Sequence, residues 1–280
     1  MTQLPDECLS EIFLNLEGQY KNLFSCLLVN RQWCRNVVPI LWSEPEFFKN
    51  CKLVRTCLLA LNSEERALLT SHNIMLQDDQ NPFFDYPRYI TAIYILTDTG
   101  IINWFKNEVV SSHNSTHVKI DSKSPKVQII RYALTIMLLR KTEKPKYLRV
   151  YGPIHNKMVD LLAKIFIHNK TLTFLSLEDN KLTSKIRKLL VESLCKNTTL
   201  THLDFSNNKL DSERGKILAE ALGGNALAKA LSKNISLAYL DLSNNNLDSG
   251  VGKPLKDALS KNTTLISLEL EGAVDFVCAV

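Results

Sequence analysis

The stretch LTFLSLEDNKL occupies residues 172–182, and it returns as LTHLDFSNNKL at 200–210 and as LAYLDLSNNNL at 237–247. Each copy fits the template L-x-x-L-x-L-x-x-N-x-L, whose central L-x-L has the period of a short strand with one buried face. A fourth copy begins at Leu265, but Ala273 stands where the template has Asn. The starts at 172, 200, 237 and 265 lie 28, 37 and 28 residues apart, so the second half of the chain is built from internal repeats.

The template also predicts the structure after each strand. An Asn amide both donates and accepts hydrogen bonds, so stacked copies are expected to form a ladder that satisfies the backbone where the chain turns inward. The pairs after the copies predict helix N-caps: Thr183-Ser184, Asp211-Ser212 and Asp248-Ser249. The pattern resembles the leucine-rich repeat family, and the 28-residue spacing resembles its ribonuclease-inhibitor type. The resemblance implies an α/β fold in which strands and helices form a right-handed horseshoe.

Weaker copies precede the regular ones. Residues 90–98 fit the template with Asp98 in place of Asn, and Val118-x-Ile120 and Leu148-x-Val150 are strand-like pairs. Apolar helical stretches are present at 127–139 and 154–167. We therefore expect a repeat domain over residues 88–280, degenerate over 88–168 and regular over 169–280. Residues 45–87 are interpreted as a connecting helix and loop, with Ser63 capping a stretch that runs through Leu69.

The first 44 residues have a different pattern. Leu4-Pro5-Asp6-Glu7 leads into a helical segment, because Pro suits a first turn and acidic residues suit the positive end of the helix. A second helical segment, then the runs at 30–34 and 39–42, complete the region. About forty residues cannot bury enough apolar surface to fold alone without a metal or disulfides. Either the repeat domain or a partner protein must cover part of this surface. A terminal cap of the repeat domain would sit flush with the first repeat. Residues 45–87 lie between these two regions, so we favour a partner.

The ordered motifs Leu-Pro-x-Glu, Ile-Phe-x-x-Leu, Leu-Val-Asn-Arg-x-Trp and Pro-x-Leu-Trp resemble the F-box, and residues 26–42 look especially like F-box proteins of filamentous fungi. The resemblance implies a three-helix F-box over residues 1–44 that docks on the Skp-family adaptor of an SCF ubiquitin ligase and, through it, on cullin. Trp33 and Trp42 are the expected hot spots, and Phe13 and Leu16 are expected to pack partly within the box. The residues expected in the joint core of box and adaptor are Leu4, Pro5, Leu9, Ile12, Phe13, Leu16, Val29, Trp33, Pro39 and Trp42.

The variable positions of L-x-L point to the concave side of such a horseshoe. They form an aromatic row beside an acidic row, which together could grip a basic peptide by stacking and charge. The alternative is that L-D-L-S-x-N is a common sequence in these repeats whatever they bind. The candidate substrate-binding residues are Phe174, His202, Asp204, Tyr239, Asp241 and Glu269.

Other classes of function find little support in the composition. The net charge of +5 is scattered, so no nucleic-acid surface is expected, and no apolar run approaches the length of a membrane span. Seven cysteines without a CxxC pair indicate reduced thiols in a cytoplasmic or nuclear protein. The N-x-S/T triplets that begin at Asn114, Asn169, Asn197, Asn234 and Asn262 are therefore not expected to carry glycans.

No catalytic residues, cofactor or metal site are expected either. His113 and His117 have a possible metal spacing but lie in a polar stretch without a Cys. The sequence thus indicates a non-catalytic substrate-recognition subunit of a cullin ubiquitin ligase, whose repeats bind a target protein. The alternative is a ligase-independent scaffold or protein inhibitor built on the repeats.

Overall fold

The chain forms two compact units. The first comprises residues 1–93 with 97–144, and the second comprises 94–96 with 145–280. The boundaries expected at residues 44 and 87 both lie within the first unit, because helices after residue 97 pack on helices that precede residue 87. The computed structural model describes residues 4–45, 49–76, 82–94, 97–110, 120–150, 154, 156–180, 194–208, 224–245, 257 and 259–271.

Three short helices open the first unit, as the sequence predicted for an F-box: α1 Asp6–Leu14, α2 Tyr20–Leu27 and α3 Arg31–Leu41. Asp6 and Glu7 lie in the first turn of α1, where the helix dipole favours negative charge. Asn30 caps α3, since its side chain accepts a hydrogen bond from the Trp33 backbone amide at 2.9 Å. Both α1 and α2 pack against α3.

Further helices complete this unit: α4 Cys51–Leu59, α5 Ser63–Thr70, α6 Thr99–Phe105 and α7 Pro125–Lys141, with a 3-10 turn at Tyr86–Tyr89 and a π-helical turn at Lys106–Val110. The assignment of Ser63 as the cap of α5 was wrong. Asn62 has an extended backbone and its side chain accepts from the Glu65 amide at 2.9 Å, while Glu65 accepts from the Asn62 amide at 2.9 Å. This reciprocal capping box makes Ser63 the first helical residue.

Three-residue strands build the repeat sheet: β1 Ala92–Tyr94, β2 Tyr147–Arg149, β3 Phe174–Ser176, β4 His202–Asp204, β5 Tyr239–Asp241 and β6 Ser267–Glu269. They are arranged in chain order, and every pair from β2 to β6 is parallel. The register aligns the strand centres, and Leu148, Leu175, Leu203 and Leu240 are all buried there. The predicted repeat architecture is therefore confirmed.

The degenerate repeats are only partly as expected. The pairs around Ile93 and Leu148 give β1 and β2, and the apolar stretches give α7 and α8 (Asn156–His168). Ile120, by contrast, is buried outside any strand, and β2 neighbours β1 directly in the sheet. Val118 and the three predicted N-cap pairs lie outside the described residues. Most of the helix predicted after the first regular copy also lies outside them. Before β5, the structure has α9 (Gly224–Lys233).

The template asparagines form the expected ladder. Asn208 donates to the carbonyls of Leu177, Phe205 and Ser206 at 2.8–3.1 Å, and its Oδ1 accepts from the Asn180 amide at 3.1 Å. Asn245 accepts from the Asn208 amide at 3.0 Å in the same way. Each buried amide therefore joins its own turn to the neighbouring repeat, which satisfies backbone groups that have no strand partner.

A second asparagine series precedes the strands, and it consists of four of the five N-x-S/T triplets. Oδ1 of Asn197 accepts from the amides of Thr199 and Leu200 at 3.0 and 2.7 Å. Asn169, Asn234 and Asn262 make the same pair of bonds in their repeats. Asn197 and Asn234 are 8% and 4% exposed, so these side chains hold the loop that enters each strand. Asn114 lies outside the described residues.

Candidate interaction surfaces

The three N-terminal helices enclose a small core of their own. Leu9, Phe13, Leu23 and Val37 are buried in it, and Trp33 packs against it with its ring edge-on to Phe13 at 5.1 Å between centroids. Leu16 also packs there, half-buried, in agreement with the expectation from the sequence that Phe13 and Leu16 pack within the box. This core positions α1 and α2 on α3, and it leaves Ile12 of α1 and Tyr20 and Phe24 of α2 exposed.

Polar side chains fasten α1 to α3. Asn36 and Gln32 donate to Asp6 Oδ1, each at 3.0 Å, and Ser10 donates to Asn36 Oδ1 at 2.8 Å. The hydrogen bonds from Asn36 and then Gln32 lower the pKa of the Asp6 carboxyl. Gln32 also donates to the Leu4 carbonyl at 2.8 Å, which holds the segment entering α1.

One side of α2 exposes a stripe of large apolar side chains. Tyr20, Phe24 and Leu28, spaced i, i+4 and i+8, are 60%, 59% and 75% exposed. Residues at this spacing lie on the same face of a helix. Ile12, on α1, and Val29, after α2, are 50% and 57% exposed. We call Tyr20, Phe24 and Leu28 the α2 stripe.

The residues predicted for adaptor binding fall into three groups. Leu9 and Phe13 are buried inside the box, while Leu16, Trp33, Pro39 and Trp42 are half-buried. Leu4, Pro5, Ile12 and Val29 are exposed. The two predicted hot spots therefore have partners within the chain: Trp33 meets the box core, and Trp42 stacks on Tyr86 at 4.4 Å. Their contact with an adaptor stays a prediction.

Sequence reasoning missed the α2 stripe. The signal was present in the i, i+4, i+8 spacing, but the buried face of α2 (Leu23, Cys26 and Leu27) has a similar helical period. Periodicity alone does not say which of two apolar faces turns inward. The positions of α1 and α3 decide it.

On the repeat sheet, side chains that flank the buried leucines face the opposite side. The register aligns the predicted residues Phe174, His202 and Tyr239 in one row and Ser176, Asp204, Asp241 and Glu269 in the next. Tyr94 and Tyr147 extend the aromatic row. Ring centroids along Tyr94, Tyr147, Phe174, His202 and Tyr239 lie 6.4, 6.3, 6.1 and 4.3 Å apart. We call these five rings the aromatic ladder.

The carboxylates beside the ladder also hold local structure. Asp204 accepts from the Ser206 amide at 3.0 Å and from Ser176 Oγ at 2.8 Å, and Asp241 accepts from the Ser243 amide at 2.8 Å. These donors are neutral, so the bonds leave the negative charge of both carboxylates in place. Glu269 is exposed at the end of the same row.

The described residues hold no group of three His, Cys, Asp or Glu side chains that could bind a metal ion. His113 and His117 lie outside them. Burial raises the pKa of the Cys57 thiol, as expected for a cysteine packed like a small hydrophobic residue. No helix in the described part of the chain is long and apolar enough to span a bilayer.

Comparisons with known proteins identify the same two regions. A family model described as F-box-like matches residues 1–47, and models described as leucine-rich repeat match 168–191, 196–213 and 236–258. A comparison with curated proteins gives no match. Among solved structures 23 chains match. One of them, "Leiomodin-1 Actin-Binding Site 2 (ABS2)", is 18% identical, with a TM-score of 0.40 over 50% of this chain and 79% of that chain.

Proposed function

Since the chain is an F-box-like protein with leucine-rich repeats, we propose that it is the substrate-recognition subunit of an SCF-type ubiquitin ligase. The box docks on a Skp-family adaptor, and the adaptor links it to cullin. The repeat sheet binds the target protein. The chain itself supplies no chemistry: it raises the rate by holding the target near a ubiquitin-charged enzyme.

The α2 stripe is the observation that carries the proposal. Burying one large apolar side chain fully contributes about 1.5–3 kcal/mol of favourable free energy. A partner that buries the stripe together with Ile12 and Val29 therefore gains a large favourable contribution to its binding free energy. Exposed contiguous apolar surface of this kind marks protein interaction sites. The box core and the hydrogen bonds to Asp6 preorganise this surface for binding of the adaptor.

Co-expression with the adaptor tests the proposal. The wild-type chain is expected to copurify with it as a soluble complex, and Phe24→Ala with Leu28→Ala is expected to lose most of the adaptor. Substitutions of Trp33 are less informative, because Trp33 packs against the box core and its loss is expected to destabilise the box as well.

Asn22→Ala is the matched control on the same helix. Asn22 is exposed and lies two positions from both Tyr20 and Phe24, so it points away from the stripe. Full recovery of the adaptor with the Phe24/Leu28 variant would show that the α2 stripe is not the docking site. A chain that retains its biological activity without any adaptor would instead be a ligase-independent scaffold.

A further inference from the structure

The aromatic ladder runs across the strands rather than along one of them. Its rings come from five successive strands, and Tyr94, Tyr147 and Tyr239 are 42%, 36% and 43% exposed. His202 and Tyr239 are stacked, with a centroid distance of 4.3 Å and an interplanar angle of 16°. The facing sides of this pair cover each other, so cations and planar groups are attracted to the ring faces of the row that stay open.

Charge beside the ladder is unevenly distributed. Arg149 on β2 forms an ion pair with Glu178, so the two charges offset each other at the β2–β3 end. At the β4–β6 end we compare alternate positions along each strand and just after it. They are His202, Asp204 and Ser206 for β4, Tyr239, Asp241 and Ser243 for β5, and Ser267, Glu269 and Glu271 for β6. These nine positions contain four acids and neither Lys nor Arg.

We infer that the target segment bound by this sheet is an extended, arginine-containing peptide that lies across the strands, with its basic part over β4–β6. The inference names the class of target for the repeat domain and therefore rests on the proposed function. Guanidinium groups both stack on aromatic rings and form paired hydrogen bonds with carboxylates. The aromatic ladder and the acidic row offer these two contacts side by side.

The spacing of the ladder suits an extended chain. Alternate side chains of a strand point the same way and lie about 6.6 Å apart. The three ring separations from β1 to β4 are 6.1–6.4 Å, so over that part of the ladder every second side chain of a peptide meets successive rings or the gaps between them. The closer pair at β4 and β5, 4.3 Å apart, lies beside the acids that receive the basic part. Lysine also carries a cation, but its ammonium lacks the planar face that stacks on a ring.

Single-stranded nucleic acid is the main competing occupant, because bases also stack on aromatic rows. The four acids of β4–β6 argue against it, since they lie beside the rings and would repel the phosphate backbone of a strand whose bases stack there. A nucleic-acid surface would pair such a row with Lys or Arg.

Fluorescence anisotropy with the full-length chain tests the inference. The probes are labelled ten-residue peptides of alternating Arg-Ser, Lys-Ser and Glu-Ser, and a ten-nucleotide oligouridine. We expect the Arg-Ser peptide to bind at least about ten-fold more tightly than the Glu-Ser peptide, and the Lys-Ser peptide to bind less tightly than Arg-Ser. Binding of oligouridine or Glu-Ser as tight as that of Arg-Ser would overturn the inference.

Variants locate the binding. Asp241→Asn with Glu269→Gln is expected to weaken Arg-Ser binding about five-fold and to reduce its dependence on salt. Tyr239→Ala is expected to weaken it more than Tyr94→Ala, because Tyr94 lies at the end remote from the acids. Asp257→Asn, an exposed carboxylate outside the sheet, is the control.

Equal affinity of the wild-type chain and the Asp241/Glu269 variant would show that the sheet face does not bind the peptide. Adaptor copurification distinguishes this result from failure of the proposed function. The sheet variants are expected to keep the adaptor, and the Phe24/Leu28 variant is expected to keep the peptide.

Discussion

Three positions of the regular repeats, two of them Asn and one Asn or Asp, have separate roles, and these roles differ in how far the sequence reveals them. The ladder role was predicted from the template. The second series was visible only as N-x-S/T triplets, because a glycosylation motif and a loop-holding Asn-x-Thr-Leu are identical in sequence and differ only in burial. The residue before each ladder Asn has left-handed backbone, with φ of 53°, 58° and 56° at Asp179, Asn207 and Asn244. Asp and Asn tolerate that region better than other non-glycine residues.

The ladder gives a prediction at the residue scale. Asn208→Ala removes three side-chain hydrogen bonds to buried carbonyls and leaves the Asn180 amide without its acceptor. We expect a loss of about 3 kcal/mol or more in the stability of the repeat unit, because each buried group left unsatisfied costs about 1–3 kcal/mol. Hydrogen exchange of the β3 and β4 amides measures it. Thr263→Ala, at an exposed position of the same unit, is the control, and equal protection in both variants would contradict the ladder's importance.

At the scale of elements, the strands were predictable and their surroundings were not. The L-x-L pattern located β3 to β6 because a leucine recurs at the centre of every strand. Ile120 fits the same local pattern, yet it lies outside any strand. The α2 stripe was missed for a related reason, since an outward-facing apolar row has the same period as an inward-facing one. In each case the decision comes from packing between elements, which a local pattern does not contain.

Helices α5 and α7 are joined by an ion pair whose carboxylate is buried. Arg140 donates from Nε and Nη2 to the two Glu65 oxygens at 2.8 and 2.7 Å, and Glu65 is fully buried. Arg140→Met leaves that carboxylate without its cation, so we expect a loss of about 3 kcal/mol or more. Arg88→Met breaks the exposed pair with Glu143 and is expected to cost less than about 1 kcal/mol. Urea unfolding followed by tryptophan fluorescence reports this unit, which contains all three tryptophans. Equal losses in the two variants would contradict the role given to the pair of Glu65 and Arg140.

The bonds between α1 and α3 predict a pH dependence. Because hydrogen bonds from Asn36 and Gln32 lower the pKa of Asp6 in the folded chain, its contribution is present above its unfolded pKa of about 3.9. That contribution is lost as the pH falls through the folded pKa. Asp6→Ala is therefore expected to be less stable than wild type at pH 7, with a difference that shrinks below about pH 4. Urea midpoints across this range measure it, and a difference independent of pH would contradict the assignment.

At the scale of the whole molecule, each unit exposes a surface of its own chemistry. The first unit carries the apolar α2 stripe, and the second carries the aromatic ladder with its acidic row. The motifs of the sequence were sufficient to identify the two regions. The chemistry of the sheet face was also partly predictable, because a fixed register turns positions in the repeat into rows. The box surface was not, since burial of Leu9 and exposure of Tyr20 and Phe24 depend on how three helices meet.

The central claim is that the α2 stripe is completed by a Skp-family adaptor. The most direct measurement is isothermal titration of purified adaptor into the full-length chain at several temperatures. We predict a dissociation constant of about 1 µM or tighter with a negative heat-capacity change, as burial of apolar surface requires. Phe24→Ala with Leu28→Ala is predicted to bind about 30-fold more weakly, and Asn22→Ala to bind normally. No binding by the wild-type chain, or equal affinity of a folded Phe24/Leu28 variant, would contradict the claim.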